Sequence, residues 1–341
     1  MDRGNSFTTL RLAAAAQVMV SHAASHLGLG DQAIFRLIAH FPGVPVFFFL
    51  SGYLVSESYR RSASLADYAR RRATRIFPAL WGALAFSVIT LVLLHPVEAW
   101  TLISWTGMQA TSAQLWHPEA WRGYGVGVVN GSLWSIPVEL CFYASLPLLV
   151  RLRSRTLFAV ASGSFVALYA AAAARANLVL ISPLPWFGLF IAGLLARRFD
   201  WRPRLSVWTP LLFLVLSLSA VVPVAGMIGN AGNVSGFANL AALCAVSLAL
   251  GHCHGPVLPI DLSYGLYLFH MPVLNAALAL GLTGLVAFAA TLAASLAMAL
   301  LSWLALERPA RRSAMDRALR RLGRKTSAAS GTAADRASAA S

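Results

Sequence analysis

Charge is scarce in this chain, and lysine is nearly missing. Only 11% of its 341 residues are charged, Lys325 is the single lysine, and 27 basic residues stand against 12 acidic ones. Soluble domains carry about 25% charged residues, so the shortage excludes an ordinary water-soluble core. With 58% hydrophobic residues and a mean hydropathy of +0.68, the chain reads as a polytopic membrane protein. Cysteine is also rare. Cys141, Cys244 and Cys253 are scattered, and no disulfide framework follows from them. There is no internal repeat, glycine-rich phosphate loop or G-x-S-x-G elbow. His252-Cys253-His254 is the one run with a metal-like look, but adjacent residues rarely share an ion, so no metal is expected. A net charge of +15 suggests nucleic acid for a soluble protein; here the placement of the arginines gives topology instead, and no nucleic-acid partner is expected.

What is present is a series of apolar runs. They define ten candidate spans at 8–27, 34–55, 76–95, 132–150, 156–174, 178–196, 205–224, 236–250, 262–280 and 283–306. The first and eighth are the weakest. The short, Ala-rich first run also fits a cleaved signal peptide, a reading that leaves its Arg and His without a purpose. With the N-terminus inside, 24 of the 27 basic residues fall on inner segments, and the outer loops keep only Arg36, Arg122 and Arg175. That asymmetry predicts an even number of spans with both termini cytoplasmic; the membrane expected is a bacterial inner membrane. The fold class expected is therefore all-α, with a transmembrane domain at 1–310. The Ser/Ala-rich basic tail at 311–341 is too poor in apolar bulk to pack and reads as disordered. Segment 96–131, with Trp100, Trp105, Trp116 and Trp121, reads as an interfacial or re-entrant lid.

The chemistry begins in the first span. Arg11 and His22 are 11 residues apart. At about 100° per residue, that is three turns plus about 20°, so both share one helix face roughly 16 Å apart. Ionisable groups inside a membrane are costly and mark substrate or proton pathways. Further segments line up with this pair. The second span ends FFFLSGY, where Ser51 and Gly52 allow close helix approach; an inner loop follows with Arg70, Arg71, Arg72, Arg75 and Pro78. The fourth span opens SLWSIPVE, with Trp134, Ser135 and Glu139. The ninth reads DLSYGLYLFH, with Ser263, Tyr264, Tyr267 and His270, and the tenth closes on Glu307-Arg308-Pro309.

In this order, across residues 8–309, these motifs resemble the acyltransferase 3 family of integral-membrane acyltransferases. The resemblance implies about ten spans and transfer of an acyl group, commonly acetyl, to sugars of surface polysaccharides and related acceptors. It implies that Arg11 and His22 are essential, that the Arg70–Arg75 cluster matters and that Glu139 is functional. The fused esterase-like domain of some members is not in this chain.

The residues support such a reaction. A sugar hydroxyl attacking a thioester needs a base, and histidine titrates nearest neutral pH, so His22 is the expected base. From their depths, His22 and Glu139 are expected to meet in the outer half of the bilayer, with Glu139 orienting the imidazole. Arg70, Arg71, Arg72 and Arg75 at the inner face suit the phosphates of acyl-coenzyme A, the expected donor. Arg11 lies near the same level. Trp134, Ser135, Tyr267 and His270 complete the expected substrate site. Each has a plainer reading: the arginine cluster as a lipid anchor, Arg11 as a snorkelling side chain, Glu139 and His270 as interhelical hydrogen-bonders, and the tyrosines as packing. The acceptor is expected to be a carbohydrate or lipid-linked saccharide, with membrane lipids as a further partner. A secondary transporter with coupled Arg, His and Glu is the alternative, and no inverted repeat favours it.

Overall fold

The computed structural model describes residues 6–111, 116–221, 236–253, 258 and 260–312, with side chains 217–221 left aside. Among these residues there is no strand. The helices are α1 (Phe7–His26), α2 (Ala33–Ala39), α3 (Gly43–Arg60), α4 (Leu65–Leu94), α5 (Ala99–Ala110), α6 (Ser135–Leu149), α7 (Ser154–Ala173), α8 (Asn177–Leu180), α9 (Phe187–Arg198), α10 (Leu205–Val221), α11 (Phe237–His252), α12 (Ser263–Ala279) and α13 (Gly284–Ser302). A π turn at Trp303–Glu307 carries α13 on to Arg312. Each expected span overlaps at least one helix. Ala33–Arg60, Leu65–Leu94, Gly131–Leu149, Ser154–Ala173 and Gly284–Arg312 are long and apolar enough to cross a bilayer.

The element boundaries depart from the expected ones where polar groups intervene. Span 34–55 is broken between α2 and α3, because Pro42 cannot continue the ladder. Gln17 of α1 repairs the break. Its Oε1 accepts the Gly43 N–H at 2.7 Å, and its Nε2 donates to the Ile38 carbonyl at 3.2 Å, so one half-buried amide satisfies orphan groups on both sides. The third span starts 11 residues early, at Leu65 rather than 76, because Ser64 caps the Asp67 N–H at 3.1 Å and Asp67 adds charge to the first turn. The arginine cluster is therefore helical rather than a loop. Span 178–196 divides into α8, a 3-10 turn at Leu184–Trp186 and α9, around Pro183 and Pro185. Of the segment at 96–131, α5 exposes Trp100 (72%), whereas Trp105 and Trp121 are buried edge to face at 5.6 Å. Of the tail, only Arg311 and Arg312 are described, and they continue the last helix.

α1, α4, α7, α10 and α12 start at one end of the bundle, and α3, α6, α9, α11 and α13 finish there. The contacts at that end say so: Ser6 N–H bonds the Gly251 carbonyl, Arg72 reaches Ser58, Arg197 reaches Glu57, Arg198 reaches Ser154, and Arg311 reaches Asp261. This is called the arginine end below. Arg36, Arg122 and Arg175 lie in the connections at the opposite, loop end.

α3 packs closely against α9, and glycine makes it possible. A Cβ at Gly52 would stand 1.9 Å from the Phe190 carbonyl oxygen, and one at Gly193 would stand 2.0 Å from that of Phe49. Small residues let backbones approach where lipid gives no hydrophobic drive. Gly193→Val should therefore destabilise the bundle by about 1–3 kcal/mol, read as a lowered unfolding midpoint in detergent. A wild-type midpoint would contradict the packing described.

Candidate active site

At the arginine end, Asp261 gathers the charges of three elements. Its Oδ2 accepts from Arg11 Nη1 at 3.1 Å and Arg75 Nη1 at 2.7 Å, with Arg311 Nη1 at 3.9 Å; its Oδ1 accepts from Ser263 Oγ at 2.6 Å. Burial alone raises a carboxyl pKa, but Arg75 and Arg11 outweigh it and hold Asp261 well below the usual carboxylate range. The π turn puts fully buried Glu307 beside this junction, where Arg311 Nη2 donates to it at 3.0 Å and lies over the Trp303 ring.

Above the junction opens a cavity of about 100 Å³ that is continuous with solvent. Arg11, Arg72, Arg75, Glu139, Tyr143 and Tyr264 line one part of it, and Ser135 and Tyr267 another, among apolar side chains. Arg72 holds Ser58 at 3.0 Å and lies over Tyr143, and Arg75 lies over Tyr264. Of the arginines lining the cavity, Arg75 Nη2 and Arg72 Nε are buried without a hydrogen-bond partner, as are Arg70 Nε and Arg311 Nε outside it. Buried guanidinium N–H groups left unpaired in the protein are suited to an anionic ligand.

Tyr267 ends the cavity, its hydroxyl 2.8 Å from Ser135 Oγ. One helical turn on, His270 of α12 meets His22 of α1, with His22 Nδ1 2.9 Å from His270 Nε2. The two helices run parallel, so the Arg11–Asp261 contact below and the His22–His270 contact above brace the same pair. The roof is a re-entrant loop. Asn275 Oδ1 accepts the Val126 N–H, its Nδ2 donates to the Val128 and Val129 carbonyls at 2.9 and 2.8 Å, and Asn130 Nδ2 donates to the Leu268 carbonyl.

That loop explains where the expected pairing fails. Glu139 was expected beside His22, but Tyr143 Oη donates to Glu139, and the partner of His22 is His270. Because Asn130 draws the loop down to Leu268, α6 begins inside the bundle, level with Tyr267, and Glu139 lies a further turn toward the arginine end.

Comparison with known proteins agrees with the motif pattern. The acyltransferase 3 family, described as an acyltransferase domain, matches residues 5–307. The chain belongs to the acyltransferase 3 family. It is 34% identical to Nodulation protein 10 of Rhizobium leguminosarum bv. viciae over 357 aligned positions, covering 93% of this chain and 96% of that one. It is 33% identical to the O-acetyl transferase of Shigella phage Sf6 over 49% of this chain and 53% of that protein. It is 29% identical to the exopolysaccharide production protein ExoZ of Rhizobium meliloti over 78% and 88%. No solved structure matches. Membership makes this an enzyme and sets aside the transporter reading.

Within this acyltransferase, the expected arginines divide into two pairs. Arg72 and Arg75 line the cavity, whereas Arg70 and Arg71 turn to Asp67 at 2.5 and 2.9 Å. Residues 67, 70 and 71 share one helix face, and 72, 75 and 76 share another. Trp134 packs between Phe48 and Trp186 and does not line the cavity. His252 bonds Tyr53 Oη at 3.0 Å, and His254 lies outside the described residues. Asp261 was missed as a functional residue. Its signal was a lone acid before the ninth span, in a chain whose intramembrane arginines need a counter-ion. Asp261→Asn leaves Arg11 and Arg75 without their shared charge, and should cost the acyltransferase about 3 kcal/mol. An unchanged unfolding midpoint in detergent would contradict that role.

Proposed function

We propose that this acyltransferase moves an acyl group, acetyl in the first instance, from acyl-coenzyme A to a hydroxyl of a carbohydrate. The observation that carries this reading is the cavity, which runs from two unpaired buried arginine N–H groups to within one helical turn of the His22–His270 pair. Arg72 and Arg75, with Arg11 beside them, would hold donor phosphates at the arginine end. The thioester arm would extend past Glu139 and Tyr143 toward Tyr267 and Ser135. Glu139 then belongs to the donor half of the site, where it is held by Tyr143.

In the reaction, the acceptor hydroxyl oxygen attacks the thioester carbonyl carbon while His22 takes the hydroxyl proton. The C–O bond forms, the C–S bond breaks, and His22 returns the proton to the departing thiolate, leaving an ester and free coenzyme A. The names of relatives support the chemistry assigned: one is an O-acetyl transferase, one an exopolysaccharide production protein, and one an acyltransferase, MdmB of Streptomyces mycarofaciens. The crowding of arginines at one end supports ten spans with that end on the cytoplasmic face of a bacterial inner membrane. A lipid-linked or surface saccharide would then be acylated from the loop end.

The test is O-acetyl content of surface polysaccharide in a deletion strain with and without the wild-type gene. Restoration by the gene is expected. Unchanged acetylation in deletion and complemented strains, together with no turnover of labelled acetyl-coenzyme A in their membranes, would contradict the reading.

A further inference from the structure

We infer that His270 is a positioning residue that sets the tautomer of His22 and leaves His22 Nε2 as the free base. The argument follows hydrogen atoms along α12. His270 Nδ1 lies 3.3 Å from the Leu266 carbonyl oxygen. A carbonyl only accepts, so the hydrogen sits on His270 Nδ1. A neutral imidazole carries one N–H, so His270 Nε2 is bare and accepts. His22 Nδ1, 2.9 Å away, therefore donates, and His22 Nε2 keeps its lone pair.

This matters because an imidazole in water favours the opposite tautomer, with the hydrogen on Nε2. Without its partner, His22 would present a donor where the reaction needs an acceptor. Burial divides the roles: His270 is 1% exposed and His22 is half-buried, so only His22 can reach a substrate. Their rings lie 5.1 Å apart with planes tilted by 32°. The partner itself is fixed. Tyr267, one turn before it, is held by Ser135; Asn130 bonds the Leu268 carbonyl, and Asn275 ties the far end of α12 to the loop. Nearby ionisable groups are His26 on α1, its ring 6.4 Å from His22, and Tyr267, 5.9 Å from His270. When His22 takes the acceptor proton on Nε2, its Nδ1–H still donates to His270. The cation that forms therefore keeps its partner, and His270 stays neutral throughout.

The inference rests on His22 acting as the base, and the experiment separates the two. Turnover of labelled acetyl-coenzyme A with unacetylated surface polysaccharide from the deletion strain is measured for wild type, His22→Ala, His270→Ala and His270→Gln at matched folded protein. His270→Ala should lower kcat about 100-fold, with KM for acetyl-coenzyme A unchanged. His270→Gln, whose amide oxygen can accept from His22 Nδ1, should stay within roughly tenfold of wild type. In 15N-histidine-labelled protein, His22 should be protonated at Nδ1 in wild type and His270→Gln and at Nε2 in His270→Ala. An inactive His22→Ala beside a His270→Ala of wild-type kcat would overturn this inference and leave the base in place. A His22→Ala of wild-type kcat would instead overturn the base assignment. Equal loss in both His270 variants, with His22 still protonated at Nδ1, would also overturn it.

Discussion

His22→Ala is expected to lower kcat by about 10²–10⁴-fold while the protein still reaches the membrane. The magnitude is that of a general base, because nothing else near the histidine pair can replace it. His270 is buried with its Nε2 facing His22, and Tyr267 is bonded to Ser135. His26 points from the next turn of α1 and is exposed. The fold should tolerate the change, since His22 is half-buried and α1 is also tied by Arg11 to Asp261 and by Gln17 to α3. The measurement is turnover of labelled acetyl-coenzyme A in membranes with matched protein levels. A variant retaining a third or more of wild-type kcat would remove His22 from the chemistry.

The second large effect lies at the other end of the cavity and falls on donor binding. Arg72→Ala should raise KM for acyl-coenzyme A by about 10–100-fold, the loss of hydrogen bonds from a charged group to phosphate. Among the described residues the protein partners it would lose are Ser58 Oγ and the face of Tyr143, so the helices around it should hold. Arg71→Ala is the matched control. It sits one residue away, is exposed, and spends its guanidinium on Asp67, so its KM should stay within about twofold of wild type, the range of a surface ion pair. Equal effects in the two variants would mean that the cluster acts through general positive charge at a lipid surface rather than through a site.

The contrast between Arg71 and Arg72 also shows what could be read before any coordinates. Apolar runs were enough for the all-helical fold and its long apolar helices, because both depend on composition over some 20 residues. The Arg11–His22 register was legible for the same kind of reason: it is a helix period inside one element. The arginines could not be sorted while they were taken as a loop. Once Ser64 starts a helix at Leu65, the 3.6-residue period separates the pair facing Asp67 from the pair facing the cavity. Glu139 was misplaced because depth was counted from the membrane surface, and a loop drawn inward by Asn130 and Asn275 starts α6 inside the bundle. Asp261 and His270 gain their roles only from partners some 200 residues away or more along the chain, Arg11, Arg75 and His22, and periodicity carries no trace of such pairs.

The most direct test of the account is transfer across the bundle in membrane vesicles with the arginine end facing the medium. Labelled acetyl-coenzyme A is added outside the vesicles, and label is followed into carbohydrate. The account predicts ester-linked label with wild type, loss of it with His22→Ala, and recovery with Arg72→Ala when donor concentration is raised. Label entering carbohydrate at wild-type rate in His22→Ala vesicles would contradict it.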